Sequence, residues 1–255
     1  MKKIEDLKKA LFHLLIDCDD VLSAWEGGSK ATGFDDDYSD LDLVVVVNDT
    51  QVEETFDAVE KFLELEYGIK RRYRVAEPAW HGFSQCFYQI DQVSAYFYID
   101  LAIIKESIPD KFLAKNRHGL GHVWFDKARI ANPYQEDQQT ISTRAKRLFQ
   151  SVSQSDFLIE IEVRKNIKRN RFTEAFPFYY QFLSRHLAVM LNLKYRIDKV
   201  DFGLRYAYRD YPKIIYTQIE RAMKISTIEE MEHTFEQMMT LYRELKHAFE
   251  PLYKD

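Results

Sequence analysis

The sequence is poor in the residues and patterns that mark several classes of protein. Its two cysteines, Cys18 and Cys86, are too few for a disulfide framework and suit a reducing compartment. The longest apolar run, Leu43 to Val47, is far too short to cross a bilayer. The charged start of the chain also lacks the apolar core of a signal peptide. Together these absences predict a cytoplasmic protein.

The chain has no excess of basic residues either. It carries 36 lysines and arginines against 41 acidic residues, which gives a net charge of −5. Proteins that hold long nucleic acids non-specifically usually present a basic surface, so nucleic acid is not the expected partner and a small molecule is favoured. Hydrophobic residues make up 46% of the chain, which is enough to exclude intrinsic disorder.

The spacing of the apolar residues changes near residue 133. Before that point it predicts two helices, 2–16 and 51–66, and strands at 21–25, 41–47, 69–75, 83–90, 95–104 and 123–130. After it the spacing predicts helices near 136–152, 155–170, 174–195, 211–224 and 227–249. We therefore expect an α+β fold, with a mixed-sheet domain over 1–133 and a helical bundle domain over 134–255.

Two acidic residues stand at the start of the strand 41–47. Asp40 and Asp42 are two positions apart, so their side chains point to the same face of the sheet. Two adjacent carboxylates repel each other, and a hard divalent cation such as Mg²⁺ relieves that repulsion. An Asp-x-Asp pair is common by chance, so this pair alone favours a structural role over a catalytic one.

A short glycine-rich segment precedes these acids. Gly27, Gly28 and Ser29 follow the predicted strand 21–25, where glycine lets the backbone approach a ligand closely. The backbone N–H groups and the Ser29 hydroxyl can then bind phosphate oxygens, and Lys30 adds a cation. This segment predicts a phosphate-binding loop.

A third acid, Asp100, lies within the apolar strand 95–104, where a carboxylate needs a partner. If this strand pairs with 41–47, Asp100 comes close to Asp40 and Asp42. Three carboxylates can hold two cations about 4 Å apart for in-line phosphoryl displacement. The alternative is a buried acid that is paired with an arginine.

The spacing of these residues resembles a known signature. Gly28-Ser29, ten intervening residues, and then Asp40-Leu41-Asp42-Leu43 resemble the signature of the DNA polymerase β-like nucleotidyltransferase superfamily. The segment from Gly28 to Gly33 is similar to the Gly-Ser-x-Ala-x-Gly form of its small bacterial members, and Asp100 matches the position of the third family carboxylate. Glu26 departs from the pattern, since the family usually has an apolar residue there, and we expect it to point away from the phosphates.

The resemblance implies a nucleotidyltransferase domain over 1–133. Its catalytic and metal-binding residues would be Asp40, Asp42 and Asp100, and its nucleotide-binding residues would be Gly27, Gly28, Ser29 and Lys30. The resemblance also implies two Mg²⁺ ions and an NTP, with ATP favoured. The helical half is similar in layout to the C-terminal domain of aminoglycoside and lincosamide nucleotidyltransferases.

We therefore expect transfer of AMP to a hydroxyl of a small molecule, with an antibiotic as one candidate. The protein would work as a monomer or a homodimer. Two alternatives stay open: an antitoxin-like nucleotidyltransferase that modifies protein or RNA, and a non-enzymatic member that only binds nucleotide.

Overall fold

The computed structural model describes residues 4–77, 79 and 82–253 of the chain. The chain divides into two compact units, Met1–Glu136 and Asp137–Asp255. The first unit contains a six-stranded mixed sheet with helices, and the second is helical. The predicted α+β class is confirmed. The described residues do not include 1–3 and 254–255 at the chain ends. Positions 2 and 3 of the first predicted helix therefore lie outside them.

The first unit is built around its sheet. Its elements are α1 (Ile4–Ile16), β1 (Val21–Glu26), α2 (Gly28–Thr32), β2 (Leu41–Val47), α3 (Val52–Glu66), β3 (Ile69–Arg74), β4 (Ser84–Ile90), β5 (Tyr98–Lys105), α4 (Lys115–His118) and β6 (His122–Asp126). The strand order is β3-β4-β5-β2-β1-β6. Strands β2 and β5 are parallel, and the other neighbouring strands are antiparallel.

The sequence predicts six strands and the described residues contain six at these places, with the largest differences in bounds at β5 and β6. Strand β6 ends at Asp126 because the Asp126 carboxylate accepts hydrogen bonds from the backbone N–H groups of Ile130 and Ala131, at 2.8 and 3.0 Å. Strand β5 begins only at Tyr98, since a turn closed by the Phe97 N–H and the Ser94 carbonyl precedes it. Turns, rather than a loss of apolar residues, set both limits.

Strand β2 lies in the middle of the sheet, as its β-branched sequence predicts. One face of β2 and β5 packs against helices α1 and α3 in a single apolar cluster. The opposite face is apolar only toward the C-terminal part of β2, where Val46 packs with Trp25 and Ile104. The N-terminal ends of β2 and β5 therefore leave room on this second face for polar side chains.

The second unit is a set of packed helices. They are α5 (Gln138–Lys168), α6 (Phe172–Gln181), a π-helical segment (Phe182–Leu187), α7 (Ala188–Tyr195), a 3₁₀ turn (Ile197–Lys199), α8 (Ala207–Asp210), α9 (Lys213–Ala222) and α10 (Ile228–Tyr253). Their inward faces form one apolar core. Across the described residues, no helix has both the length and the apolar content that a bilayer crossing requires.

The prediction of two helices at 136–152 and 155–170 was wrong, because α5 continues through both ranges. The intervening Ser-Val-Ser-Gln-Ser segment has low helix propensity and suggested a break. Two features hold the helix together there. The Ser155 hydroxyl donates to the Ser151 carbonyl at 2.8 Å, and Val152 is fully buried in the core. Tertiary packing therefore overrides the local preference.

The π-helical segment carries a buried histidine. His186 is 1% exposed, and its Nε2 lies 3.1 Å from the Ser155 Oγ. The Ser155 hydroxyl also donates to the Ser151 carbonyl, so Ser155 links the buried ring to the backbone of α5. Burial is the main cause that holds the pKa of His186 below its ordinary value of 6.5.

This histidine predicts a pH dependence of stability. Below pH 6.5 the unfolded chain takes up a proton that the folded chain resists, so the free energy of unfolding falls as the pH decreases. One such group contributes a slope of up to about 1.4 kcal/mol per pH unit. When the free energy of unfolding in urea is measured between pH 7 and 5, it should change less steeply with pH in His186→Gln than in wild type. The exposed control His233→Gln should follow the wild type. Equal slopes for wild type and His186→Gln would contradict the assignment.

Candidate active site

The carboxylates at the start of β2 and within β5 lie on one face of the sheet. Asp42 and Asp100 are direct partners in the parallel register of β2 and β5, whose backbones are about 4.8 Å apart. Their neighbours Leu41 and Leu43 face the layer of α1 and α3, so the two carboxylates face the opposite side. Asp40 immediately precedes β2 and shares the face of Asp42.

Tyr98, the first residue of β5, links the three acids. Its pKa is raised well above the usual 10.0, first by a hydrogen bond to the Asp40 carboxylate and then by burial and the charge of Asp40. The charges of Asp42 and Asp100 raise it further. The Tyr98 hydroxyl therefore donates to Asp40 and lies within the field of all three carboxylates.

A glutamine from β4 holds the third acid. The Gln85 side-chain amide donates to the Asp100 Oδ1 at 2.6 Å. Sequence reasoning identified neither Gln85 nor Tyr98, because an amide or a phenol within a strand has no characteristic spacing. Only the alternation of side chains between the two faces of a strand could have indicated them, since both residues share the face of Asp100.

The glycine segment lies directly against Asp42. The Gly27 N–H donates to the Asp42 carbonyl at 2.8 Å. A Cβ atom at Gly28 would lie 1.6 Å from the Asp42 Oδ2, and Gly28 has a φ of +53°. Both the space and the backbone conformation therefore require glycine at this position. The structure thus brings together the predicted phosphate loop and the predicted metal ligand.

Ser29 and Lys30 belong to α2, the short helix that follows Gly27. The Lys30 Nζ lies 3.1 Å from the Asp35 Oδ2, and this hydrogen bond raises the pKa of Lys30. Both side chains are more than 40% exposed, so the ion pair is screened and worth little in stability. A phosphate group can displace Asp35 at little cost, which keeps Lys30 in its predicted role as a candidate ligand.

Glu26 faces away from this site, as expected. It is 5% exposed and accepts hydrogen bonds from the Lys8 Nζ at 2.7 Å and the Trp124 Nε1 at 2.9 Å. Its register partner, Leu43, belongs to the core on the α1 side. The charged residue beside the glycines therefore stabilises the end of β1 and does not enter the carboxylate face.

A metal cage is not preformed. Within 4–77, 79 and 82–253, no group of three or more His, Cys, Asp or Glu side chains is placed to hold a metal ion. Asp42 and Asp100 are adjacent, whereas Asp40 and Asp100 are engaged by Tyr98 and Gln85. Neutral hydrogen-bond donors thus bind the mutually repelling acids. The assignment of Asp40, Asp42 and Asp100 as metal ligands stays a prediction.

Comparison with known proteins matches the chain to several solved structures. No family model and no curated protein sequence matches the chain. An aminoglycoside 6-adenyltransferase from Bacillus subtilis is 13% identical, with a TM-score of 0.37, over 100% of this chain and 94% of that one. A nucleotidyltransferase-like protein from Exiguobacterium sibiricum 255-15 is 11% identical, with a TM-score of 0.38, over 97% of this chain and 76% of that one.

Proposed function

We propose that this chain is a Mg²⁺-dependent nucleotidyltransferase. It would transfer AMP from ATP to a hydroxyl of a small-molecule acceptor and release pyrophosphate. One observation carries the proposal: Gly28 packs against the Asp42 carboxylate, which is the register partner of Asp100. A phosphate-binding loop and two hard oxygen ligands are thereby adjacent. We assign 1–133 as the nucleotidyltransferase domain and 134–255 as a helical bundle domain.

The donor set fits magnesium. Mg²⁺ prefers one or two carboxylates together with phosphate oxygens and water, and Asp42 and Asp100 offer carboxylates from neighbouring strands. Asp40 adds a third carboxylate once the Tyr98 hydroxyl releases it. Two bound Mg²⁺ ions would neutralise the charge of the triphosphate and acidify the acceptor hydroxyl.

The residues of the chain would bind and orient the reactants. The Gly27 N–H already donates to the Asp42 carbonyl, so the Gly28 N–H, the Ser29 hydroxyl and the Lys30 ammonium bind the phosphates, and Gly27 shapes the loop. As the acceptor oxygen forms its bond to the α-phosphorus, the bond to pyrophosphate breaks, and Asp100 takes the acceptor proton. Positioning and charge neutralisation supply most of the rate enhancement.

The position of the label in ATP tests this proposal. With ATP labelled at the α-phosphate, we expect the label on a small molecule and stoichiometric release of pyrophosphate. With ATP labelled at the γ-phosphate, we expect no transfer, and label on the acceptor would identify phosphoryl transfer and reject the proposal. The acceptors to screen are hydroxylated compounds, including aminoglycosides and lincosamides, each with ATP, GTP, CTP and UTP.

The same assay separates the alternatives. In a cell lysate, α-label on protein or RNA would support a macromolecular acceptor. Calorimetric binding of ATP without turnover of any acceptor would support a non-enzymatic role. A cationic acceptor is favoured among the small molecules, because the net charge of the chain is −5.

A further inference from the structure

Aromatic residues continue the line of the carboxylates across the sheet. Tyr73 of β3 is the register partner of Phe87 of β4, and Phe87 is the register partner of Asp100. Since Asp100 is in turn the partner of Asp42, these four residues form one line on one face. Beyond Asp42, the line ends at Gly28.

Three rings on this face are linked through Phe87, which contacts the other two. Tyr73 and Phe87 are stacked, with centroids 6.1 Å apart and an interplanar angle of 18°. The Phe87 ring lies 6.0 Å from that of Tyr98. Tyr73 is 64% exposed and Tyr98 is 39% exposed. We call Tyr73, Phe87 and Tyr98 the aromatic row.

The other face of β3 and β4 packs against α3, so the aromatic row does not belong to the hydrophobic core. The Tyr88 hydroxyl donates to Glu60 of α3, and the Arg74 guanidinium lies 3.6 Å from the ring centroid of Phe56 in the same helix. The packed side of these strands is therefore the α3 side. Stacked rings left on the open side offer a surface on which a planar ring can stack.

The in-line geometry of nucleotidyl transfer determines which reactant lies against the aromatic row. In an in-line displacement, the attacking oxygen and the leaving pyrophosphate lie on opposite sides of the α-phosphorus. Gly28 and Ser29 would hold the pyrophosphate portion on the β1 side of Asp42. The acceptor must then approach from the side of Asp100, where the aromatic row begins.

We propose that the aromatic row is the acceptor subsite and that it selects an uncharged or cationic acceptor with a planar aromatic ring beside its hydroxyl. The inference depends on the proposed nucleotidyl transfer. The three carboxylates disfavour an anionic acceptor. The ring stacks on Tyr73 and Phe87 and directs the hydroxyl toward Asp100, which Gln85 orients.

Direct binding tests the row without turnover. The probe is 4-hydroxybenzyl alcohol, and sorbitol is its ring-free counterpart, with both titrated by ligand-observed NMR. We expect saturable binding of the aromatic probe to wild type, at least about tenfold weaker binding to Tyr73→Ala/Phe87→Ala, and no binding of sorbitol. Tyr208→Ala, which removes a tyrosine that is 61% exposed in the helical unit, should bind the probe like wild type.

Single substitutions keep the test decisive if the double variant fails to fold. Tyr73→Ala alone should weaken binding of the probe, and Tyr73→Phe should restore it. Equal affinity of wild type and Tyr73→Ala would overturn the inference. Weaker binding of ATP but not of tripolyphosphate to Tyr73→Ala would also overturn it, because the row would then hold the base of the donor.

Turnover separates this inference from the proposed function. If an acceptor without an aromatic ring is adenylylated with the same KM by wild type and Tyr73→Ala, nucleotidyl transfer stands and the acceptor subsite is rejected. If the probe binds the row but no hydroxyl compound is adenylylated, both are rejected. A KM for an aromatic acceptor that rises in Tyr73→Ala, with an unchanged KM for ATP, supports both.

Discussion

Asp42→Asn is expected to abolish the release of pyrophosphate from ATP. Asn is nearly isosteric, so the contact with Gly28 survives, but the side chain loses the charge that a divalent cation and a triphosphate require. Removing one preorganised electrostatic contact commonly costs about 10²–10³ in rate. We expect at least that loss for Asp42, because its carboxylate lies at the centre of the line from Gly28 to Asp100.

The fold of this variant should be unaffected. Asp42 is one of three carboxylates on the same face, so removing its charge relieves repulsion and should leave the melting temperature unchanged or slightly higher. Binding of Mn²⁺, followed by electron paramagnetic resonance, should weaken together with the activity. Asp37→Asn is the matched control, since it removes an exposed acid from the loop before Asp40. Wild-type turnover in Asp42→Asn would rule out the site.

Gly28→Ala is the second substitution with a large expected effect. Its Cβ would lie 1.6 Å from the Asp42 Oδ2 and 2.5 Å from the Asp42 Cγ, so either the loop or the carboxylate must move. The positive φ of +53° adds a backbone cost of about 1–2 kcal/mol. We expect a loss of activity comparable to that of Asp42→Asn, together with a lower melting temperature.

Gly33→Ala is the control that separates the effect of the steric clash with Asp42 from the effect of backbone strain. Gly33 also has a positive φ, +72°, but no atom lies within 4 Å of the position of its Cβ. Gly33→Ala should lose only the stability that the backbone strain costs and should keep its turnover. If Gly28→Ala and Gly33→Ala retain similar activity, the close approach of the glycine loop to Asp42 has no role in the reaction. Denaturant unfolding and pyrophosphate release, measured on both variants, make the comparison.

The elements that position the site were the most predictable from sequence. The β-branched run Leu41–Val47 is a strand with the predicted bounds, because its apolar character on both faces suits the middle of a sheet. The spacing of Asp40 and Asp42 placed both on one face. The pairing of β5 with β2 was an inference from the need of Asp100 for a partner, and the register confirms that pairing.

Other features depend on contacts that a sequence does not encode locally. Gln85 contacts Asp100 because β4 and β5 are antiparallel neighbours, and Tyr98 contacts Asp40 because β5 and β2 are parallel neighbours in a particular register. The continuity of α5 through its serine-rich segment depends on the burial of Val152 among distant helices. Non-local packing determines these features, and local helix propensity opposes the continuity of α5.

The residues in the line from Asp42 to Tyr73 are under different evolutionary constraints at its two ends. Asp42 and Asp100 lie on the central strands β2 and β5, where the proposed chemistry would restrict which side chains are accepted. The far end of the aromatic row lies on β3, at the edge of the sheet, where Tyr73 is mostly exposed. Exposed edge positions tolerate exchange at little cost in stability. A lineage with this fold could therefore change its substrates by mutating the periphery while its reaction stays the same.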